Sequence, residues 1–236
     1  TLTDRAQRFA DAHASGRMLV LPTVWDTWSA RVAAGVEFEG LTVGSHPVAE
    51  AIGSADGENM DFGEYLAVIR RIVEAVEVPV SADVESGYGL PPAELIDRLL
   101  EVGAVGANIE DVVHSENKRV RARQEHADYI AAARQAADEA GIPFVINGRT
   151  DAVKLGTDVF DDPIEEAVGV TTPGQVRHLA GVVQVPVNVT AHPVNGHGAG
   201  DLATLTELGA RRVSFGPQWQ NWLGETSAAE LATWLD

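Results

Sequence analysis

The sequence contains no cysteine. That absence excludes disulfides, thiolate zinc sites, iron–sulfur clusters and a cysteine nucleophile, and it makes a reducing cytoplasm the expected compartment. Basic side chains are scarce: 17 Lys and Arg stand against 35 Asp and Glu in 236 residues, for a formal net charge of −18 and a pI near 4.6. Nucleic acid and anionic membrane both require a concentrated basic face, so neither is an expected partner. Long apolar runs are missing too, since no window approaches the ~20 apolar residues of a membrane span. The opening TLTDRAQRFADAHASGRMLV mixes charge with apolar residues and does not read as a signal peptide. What remains, 45% hydrophobic and 22% charged residues, is the composition of a folded, soluble protein.

Short apolar runs alternate with amphipathic stretches along the chain. Strands are expected at Met18–Leu21, Leu41–Val43, Val78–Ala82, Val105–Ile109, Pro143–Ile146, Val185–Val189 and Arg212–Phe215. These runs are rich in β-branched residues and bounded by Gly or Pro, as parallel strands covered on both faces are. Helices are expected at Phe62–Val76, Pro92–Val102, Gln124–Ala140, Gln175–Val183 and Leu202–Leu208. Gly103, Gly141 and Gly209 follow three of them as C-cap residues. Such βα alternation without a composition break predicts a single domain over 1–236. Polar residues gather at the C-terminal ends of the strands and no GxGxxG follows the first, which favours an α/β (β/α)8 TIM-type barrel over a doubly wound sheet. Between Ala167 and Val168 the βα pattern skips a helix and most of a strand: DDPIEEA runs directly into Val168-Gly169-Val170. A barrel lacking a strand cannot close its ladder, so an omitted segment is the expected explanation rather than a true deletion.

The strongest chemical constellation is SADVESGYG, 81–89. Asp83 and Glu85, two apart at a strand end, are expected on one face, and oxygen ligands so spaced suit a hard cation, Mg²⁺ or Mn²⁺. Glu110 ends the next strand beside Asp111, and three carboxylates packed together repel unless a cation neutralises them. The alternative is structural: rim acids paired with basic residues, Glu110 with Arg149, and Asp111 capping a loop. Arg149, past the apolar run that ends at Ile146, offers a planar fork to a substrate carboxylate or a developing enolate oxygen. Asn188 offers an amide to the same mouth. Gly44-Ser45-His46 offers backbone amides that cradle an anion.

The segments LPTVWDTWSAR (21–31), LTVGSHPVAEAIGSADGE (41–58), VPVSADVESGYG (78–89), GAVGANIED (103–111), INGRTDA (146–152) and the PVNV-to-SFG tail resemble, in order, the isocitrate lyase/phosphoenolpyruvate mutase superfamily. The resemblance implies a Mg²⁺-dependent (β/α)8 barrel, with Mn²⁺ possible, that makes or breaks C–C or P–C bonds of small anionic 2-oxo or 2-hydroxy acids through an enolate. It implies Asp83 as the direct metal ligand, with Glu85 and Glu110 reaching the ion through water. Ser45 and the His46 amide would hold the substrate carboxylate, with Arg149 and Asn188 closing around it and Trp25 and Asp26 of the first segment also at the substrate. Asp56 matches the acid that contacts the reacting group in mutase-type members. It also implies a last helix exchanged between protomers, giving a homodimer or homotetramer.

The departures bear on the reaction. Isocitrate and methylisocitrate lyases carry a lid cysteine as acid–base catalyst, whereas this chain reads VVHSENKRVRARQEHA after Asp111, so a lyase of that mechanism is not expected. The mutase lid's Lys-Thr-Asn run is absent as well. His46 stands where many members carry glycine. His114 is a candidate replacement acid–base, the alternative being a solvent-facing ring. Lys118, Arg119, Arg121 and Arg123 form either a lid that attracts an anionic substrate or a loop salt-bridged to its neighbours. Trp219, Trp222 and Trp234 crowd an amphipathic C-terminal segment that either docks within its own chain or exchanges. Three readings follow: a C–C lyase of a small 2-oxo or 2-hydroxy dicarboxylate, a P–C enzyme of the phosphoenolpyruvate mutase or phosphonopyruvate hydrolase type, and a non-catalytic metabolite-binding barrel.

Overall fold

The computed structural model describes residues 1–151 and 171–235. The Ala167/Val168 junction lies outside them.

The chain is built of βα units. Helix α1 (Leu2–Ala14) precedes β1 (Leu19–Leu21) and β2 (Thr23–Val24), two halves of one strand split at Pro22. There follow α2 (Thr27–Ala34), β3 (Leu41–Val43), α3 (Ser45–Ile52), α4 (Phe62–Ala75), β4 (Val80–Asp83), α5 (Pro92–Glu101) and β5 (Gly106–Glu110). A hairpin of β6 (Val112–Val113) and β7 (Arg119–Val120), with a 3-10 turn at His114–Glu116, leads to α6 (Arg123–Glu139) and β8 (Val145–Arg149). The last described units are α7 (Pro173–Val182), β9 (Val187–Thr190), α8 (Leu202–Glu207), β10 (Ala210–Ser214) and α9 (Gln218–Ala232). Among the described residues the named strands outside the hairpin pair in parallel, in the order β9-β10-β1 and β2-β3-β4-β5-β8, with the split strand standing in both sheets. This is the (β/α)8-barrel architecture.

Each strand is short because it is apolar only where it is covered on both faces, and it ends on polar residues that continue the ladder onto the rim. Strands beginning at Val80, Val145 and Val187 follow a proline by one or two residues; with no N–H to give, proline starts the run rather than joining it. These three strands therefore start two residues C-terminal of the expected runs, whereas β3 coincides with its run and β10 starts two residues before it. Register carries the consequence: Asp83 pairs with Asn108, Asn108 with Asn147, and Glu110 with Arg149, so polar side chains form tiers at one end.

Around this wall, α4 buries Tyr65, Ile69 and Ile72 completely, and its N-terminus is capped by Asp61, which accepts from the Glu64 amide at 2.9 Å. The helices at 2–14, 27–34 and 45–52 were not expected from periodicity. Two are eight residues long, and α1 buries only Ala6, Phe9 and Ala12, too few positions for a strong pattern. Phe9 nonetheless fills the N-terminal end of the barrel. A Cβ at Gly40 would fall 2.9 Å from its ring and one at Gly106 2.8 Å, so both strands meet it through glycine.

His13, one turn on from Phe9, bonds the Phe9 carbonyl at 2.8 Å through Nδ1 and meets its ring edge-on. Burial pushes its pKa down from 6.5 to about 4, against the raising influence of that carbonyl. A base whose folded pKa lies below its unfolded value resists protonation only when folded. Its contribution is complete above pH 6.5 and is lost as pH falls toward 4. Wild type is expected to lose about 2 kcal/mol more than His13→Gln between pH 7 and pH 4.5, read by urea denaturation; equal losses would refute it.

At the other terminus, α9 rests Trp219 against Trp25 with ring centroids 5.1 Å apart, and Leu223 packs on the core beside it. Trp222 is half-buried, whereas Leu231 and Trp234 stand 69% and 87% exposed.

Candidate functional site

The C-terminal ends of the strands surround a cavity of about 460 Å³, within the size range of small-molecule sites. Its wall carries Asp83, Glu85, Glu110, Arg149, His114, Ser45, His46, Asp56 and Asn188, so nine of the residues singled out from the sequence meet there. Trp25 and Asp26 do not line it. Trp25 is buried in the core beneath α9, and Asp26 is the N-cap of α2, accepting from the Ser29 amide at 2.7 Å while Ser29 Oγ is 3.1 Å from its own amide. A WD pair ahead of a helix reads equally as anchor plus cap, and here those demands consume both side chains.

Five carboxylates, Asp56, Asp83, Glu85, Glu110 and Asp151, face one guanidinium on this wall. Arg149 sits among them. Its Nη1 is 3.2 Å from Asp83 Oδ2 and its Nη2 2.6 Å from Glu110 Oε2, while Nε and Nη2 donate to the two oxygens of Asp151 at 2.7 Å each. The Glu110–Arg149 pairing expected of a purely structural rim is therefore present, yet one cation is shared among three acids. Burial alone would favour neutral Arg149, but Asp151, Asp83 and Glu110 outweigh it and raise the guanidinium pKa. Asp151 was missed from the sequence although it lies two residues past Arg149. It is itself anchored by its amide, which donates to Asp111 Oδ1 at 3.0 Å, so Asp111 is a loop-organising residue.

Strand alternation does not place Glu85. The strand ends at Asp83, and Glu85 turns back in the left-handed region at φ 50°, its amide donating to Asp83 Oδ1 at 3.1 Å. The turn is held by Glu58, whose Oε1 accepts from Ser86 Oγ at 2.6 Å and the Tyr88 amide at 2.7 Å. Strain of this kind persists only where the surroundings over-determine it, and it often marks a working site. Glu85 is 3% exposed, and its Oε2 has no hydrogen-bond partner. Burial, then Asp83 and Asp56, push its pKa up to about 8. Burial likewise raises Asp83, to about 6, with Arg149 opposing and Glu110 adding to it.

His114, in the 3-10 turn of the hairpin, reaches back over the acids with Nε2 2.7 Å from Glu110 Oε1 and 3.5 Å from Glu85 Oε2. Its pKa is raised, first by the Glu110 hydrogen bond. Ser45 opens α3, whose N-cap Gly44 makes no side-chain cap bond, and Gly44, Ser45 and His46 line the cavity. His46 holds Asp56 through Nδ1 at 3.1 Å. Asn188 donates to Ser214 Oγ at 3.4 Å and leaves its buried Oδ1 without a partner.

The basic loop is largely self-satisfied. Arg119 pairs with Glu116 at 2.6 Å and Glu125 at 2.7 Å, and Arg121, buried, donates to the carbonyls of Glu110 and Ser86 and lies 4.2 Å above the Tyr129 ring. Both charges brace the hairpin, Arg121 from a buried position and Arg119 from an exposed one. Deeper in the barrel, Arg212 donates to Asn108 Oδ1 at 3.0 Å, and burial lowers its pKa to about 10. No sequence signal separates it from its outward neighbour Arg211.

A carboxylate-ringed cavity on the C-terminal rim of a parallel barrel, with one arginine and a helix N-terminus in its wall, lies where (β/α)8 barrels carry their sites. The family profile described as phosphoenolpyruvate phosphomutase matches residues 9–169, and the chain belongs to that family, within the isocitrate lyase/phosphoenolpyruvate mutase superfamily. It is 30% identical over 195 residues to 2-methylisocitrate lyase of Escherichia coli K12, an alignment covering 72% of this chain and 63% of that protein, so it spans less than two thirds of that relative. Oxaloacetate decarboxylase of Rhodopseudomonas palustris TIE-1 is 28% identical over 226 residues, covering 86% of this chain and 75% of that protein. A crystal structure from Burkholderia cenocepacia J2315, assigned as a phosphonomutase, superposes with a TM-score of 0.86 at 36% identity over 97% of this chain and 99% of that one. Among the described residues no helix is long and apolar enough to cross a membrane.

Proposed function

We propose that the protein is a divalent-metal-dependent enzyme that cleaves a C–C bond of a small 2-oxo or 2-hydroxy dicarboxylate through an enolate. The observation that carries this reading is the convergence of Asp83, Glu85, Glu110 and Arg149 on one cavity. The same residues fit a cation of the Mg²⁺ or Mn²⁺ kind, because the wall holds five acids against one guanidinium and Glu85 Oε2 is buried without a partner. Asp83, Glu85 and Glu110 would hold it, and when bound it would supply positive charge for a developing enolate oxygen.

The chain's own residues divide the remaining work. The amides at the start of α3, with Ser45, receive a carboxylate, and Asn188 presents an unpaired amide oxygen to a substrate hydroxyl. Arg149, its Nε–Nη2 fork locked by Asp151, brings its remaining Nη1 N–H to the oxygen on which charge accumulates, so its stabilisation grows as the bond breaks. A proton must reach the carbanion carbon without a cysteine. His114 is tied to Glu110 and Glu85, whereas His46, bound to Asp56 through Nδ1, keeps Nε2 for that transfer. The exposed Leu231 and Trp234 of the C-terminal segment support assembly into a homodimer or homotetramer, while the absence of cysteine supports a cytoplasmic protein and the unbroken βα alternation a single-domain protomer.

The likeness to a phosphonomutase, with Asp56 on the cavity wall, favours P–C chemistry as the second reading. A panel of 2-oxo acids, 2-hydroxy acids and phosphonopyruvate, assayed for pyruvate or glyoxylate with and without EDTA, separates the readings. Turnover of a dicarboxylate that EDTA abolishes and Mg²⁺ or Mn²⁺ restores is expected. Turnover of phosphonopyruvate alone would transfer the assignment to the phosphorus branch, and no turnover of any member would leave a metabolite-binding barrel.

A further inference from the structure

We infer that His114 is a direct ligand of the cation, completing a Glu85–Glu110–His114 set that makes this site prefer Mn²⁺-type transition ions to Mg²⁺. The inference rests on the metal-binding reading above and adds to it a nitrogen donor from the hairpin.

The three side chains offer ligand atoms that all lie within 4.8 Å of one another. His114 Nε2 stands 2.7 Å from Glu110 Oε1 and 3.5 Å from Glu85 Oε2. Ligand atoms each about 2.0–2.2 Å from a shared ion are spaced about 3.0–3.5 Å apart, so the cluster needs only small adjustment to close on one. A single Nε2 proton can serve only one of the two carboxylates, and Glu85 Oε2, in a side chain 4% exposed, is left with no hydrogen bond. An ion between the three atoms would satisfy both oxygens and the nitrogen lone pair together. Glu110 can take part without surrendering Arg149, which occupies its other oxygen at 2.6 Å.

The imidazole is aimed by a specific gap. Gly57, at φ 86°, lies against the far side of the ring, and a Cβ there would sit 2.9 Å from His114 Nδ1. The GSADGE loop thus presses Nε2 toward the acids only because residue 57 has no side chain. Mg²⁺ takes oxygen donors and sheds water reluctantly, whereas a transition ion such as Mn²⁺ accepts an imidazole nitrogen more readily than Mg²⁺ does, so an oxygen–oxygen–nitrogen set moves selectivity away from Mg²⁺.

The test is direct binding of MnCl2 and MgCl2 to the full chain by titration calorimetry, for wild type, His114→Phe and Gly57→Ala. Wild type is expected to bind Mn²⁺ at least about tenfold more tightly than Mg²⁺. Both variants should lose roughly tenfold or more for Mn²⁺ and less than about threefold for Mg²⁺. Pulsed electron paramagnetic resonance of Mn²⁺-loaded wild type should also show coupling to an imidazole ¹⁴N, a readout that needs no variant to fold. Mn²⁺ binding without ¹⁴N coupling, or with unchanged affinity in His114→Phe, would overturn the inference and leave the carboxylate site standing. Failure of wild type to bind either ion would overturn the inference and the metal-dependent reading together.

Discussion

Arg149→Met is expected to lower kcat/KM on the dicarboxylate substrate by roughly 10³-fold or more, about 4 kcal/mol of transition-state stabilisation. The side chain is the only guanidinium on the cavity wall among the described residues, and Asp151 fixes its plane through two 2.7 Å bonds. Such a donor costs no reorganisation as charge develops, which is why its loss appears in turnover rather than in substrate affinity. Arg149→Lys keeps the charge but loses the fork to Asp151, and a partial recovery to about 10²-fold below wild type is expected. Removing the guanidinium also leaves Asp83, Glu110 and Asp151 facing one another, and breaking a buried pair of this kind costs about 3 kcal/mol. Steady-state rates at saturating metal check the first effect and urea denaturation the second. A Met variant within tenfold of wild-type kcat/KM would remove Arg149 from the chemistry.

The second large effect concerns the protein freed of metal by EDTA. Burial and the neighbouring acids push Glu85 from 4.5 up to about 8 and Asp83 from 3.8 to about 6. A carboxyl whose folded-state pKa exceeds its unfolded value holds its proton longer when folded. The stability it contributes is complete below pH 4.5 for Glu85 and is lost as pH rises through about 8. The metal-free protein should therefore weaken between pH 6 and pH 9, by about 3 kcal/mol after allowance for the shared charge of the cluster. Glu85→Gln removes the titrating group while keeping its shape. It is expected to flatten that decline and melt several degrees above wild type at pH 9 in EDTA, at the expense of metal affinity. Saturating Mg²⁺ or Mn²⁺ should also erase the decline in wild type. Parallel pH profiles for wild type and Glu85→Gln in EDTA would contradict the cluster's electrostatics. His13 acts in the opposite direction between about pH 4 and 6.5, so it offsets part of the carboxylate decline in that window.

Much of the site was legible because barrel strands end on it. A residue type that is costly to bury, placed at the C-terminal end of an apolar run, must face the rim, and Asp83, Glu110, Arg149 and Asn188 were readable on that ground alone. Ser45, His46 and Asp56 came from the order of motifs, and they too line the cavity. The reasoning failed where a local geometry other than alternation took over. Glu85 reaches the cluster through a left-handed turn braced by Glu58. For Arg119 and Arg121 the salt-bridged alternative is the one the structure holds, with acids, carbonyls and a tyrosine ring beside them. Trp25 and Asp26 belong to a motif at the site but serve the core and a helix cap.

The sequence by itself determined the βα alternation, the acidic character of the rim and the superfamily, since each rests on patterns local to one strand or loop. Only the tertiary structure decided which charges meet. That Asp83 and Glu110 share Arg149, that His114 folds back onto Glu85 and Glu110, and that Arg212 lies beneath Asn108 all depend on atoms brought together by the fold. Electrostatic energy depends on separation in space, and separation along the chain carries almost no information about it.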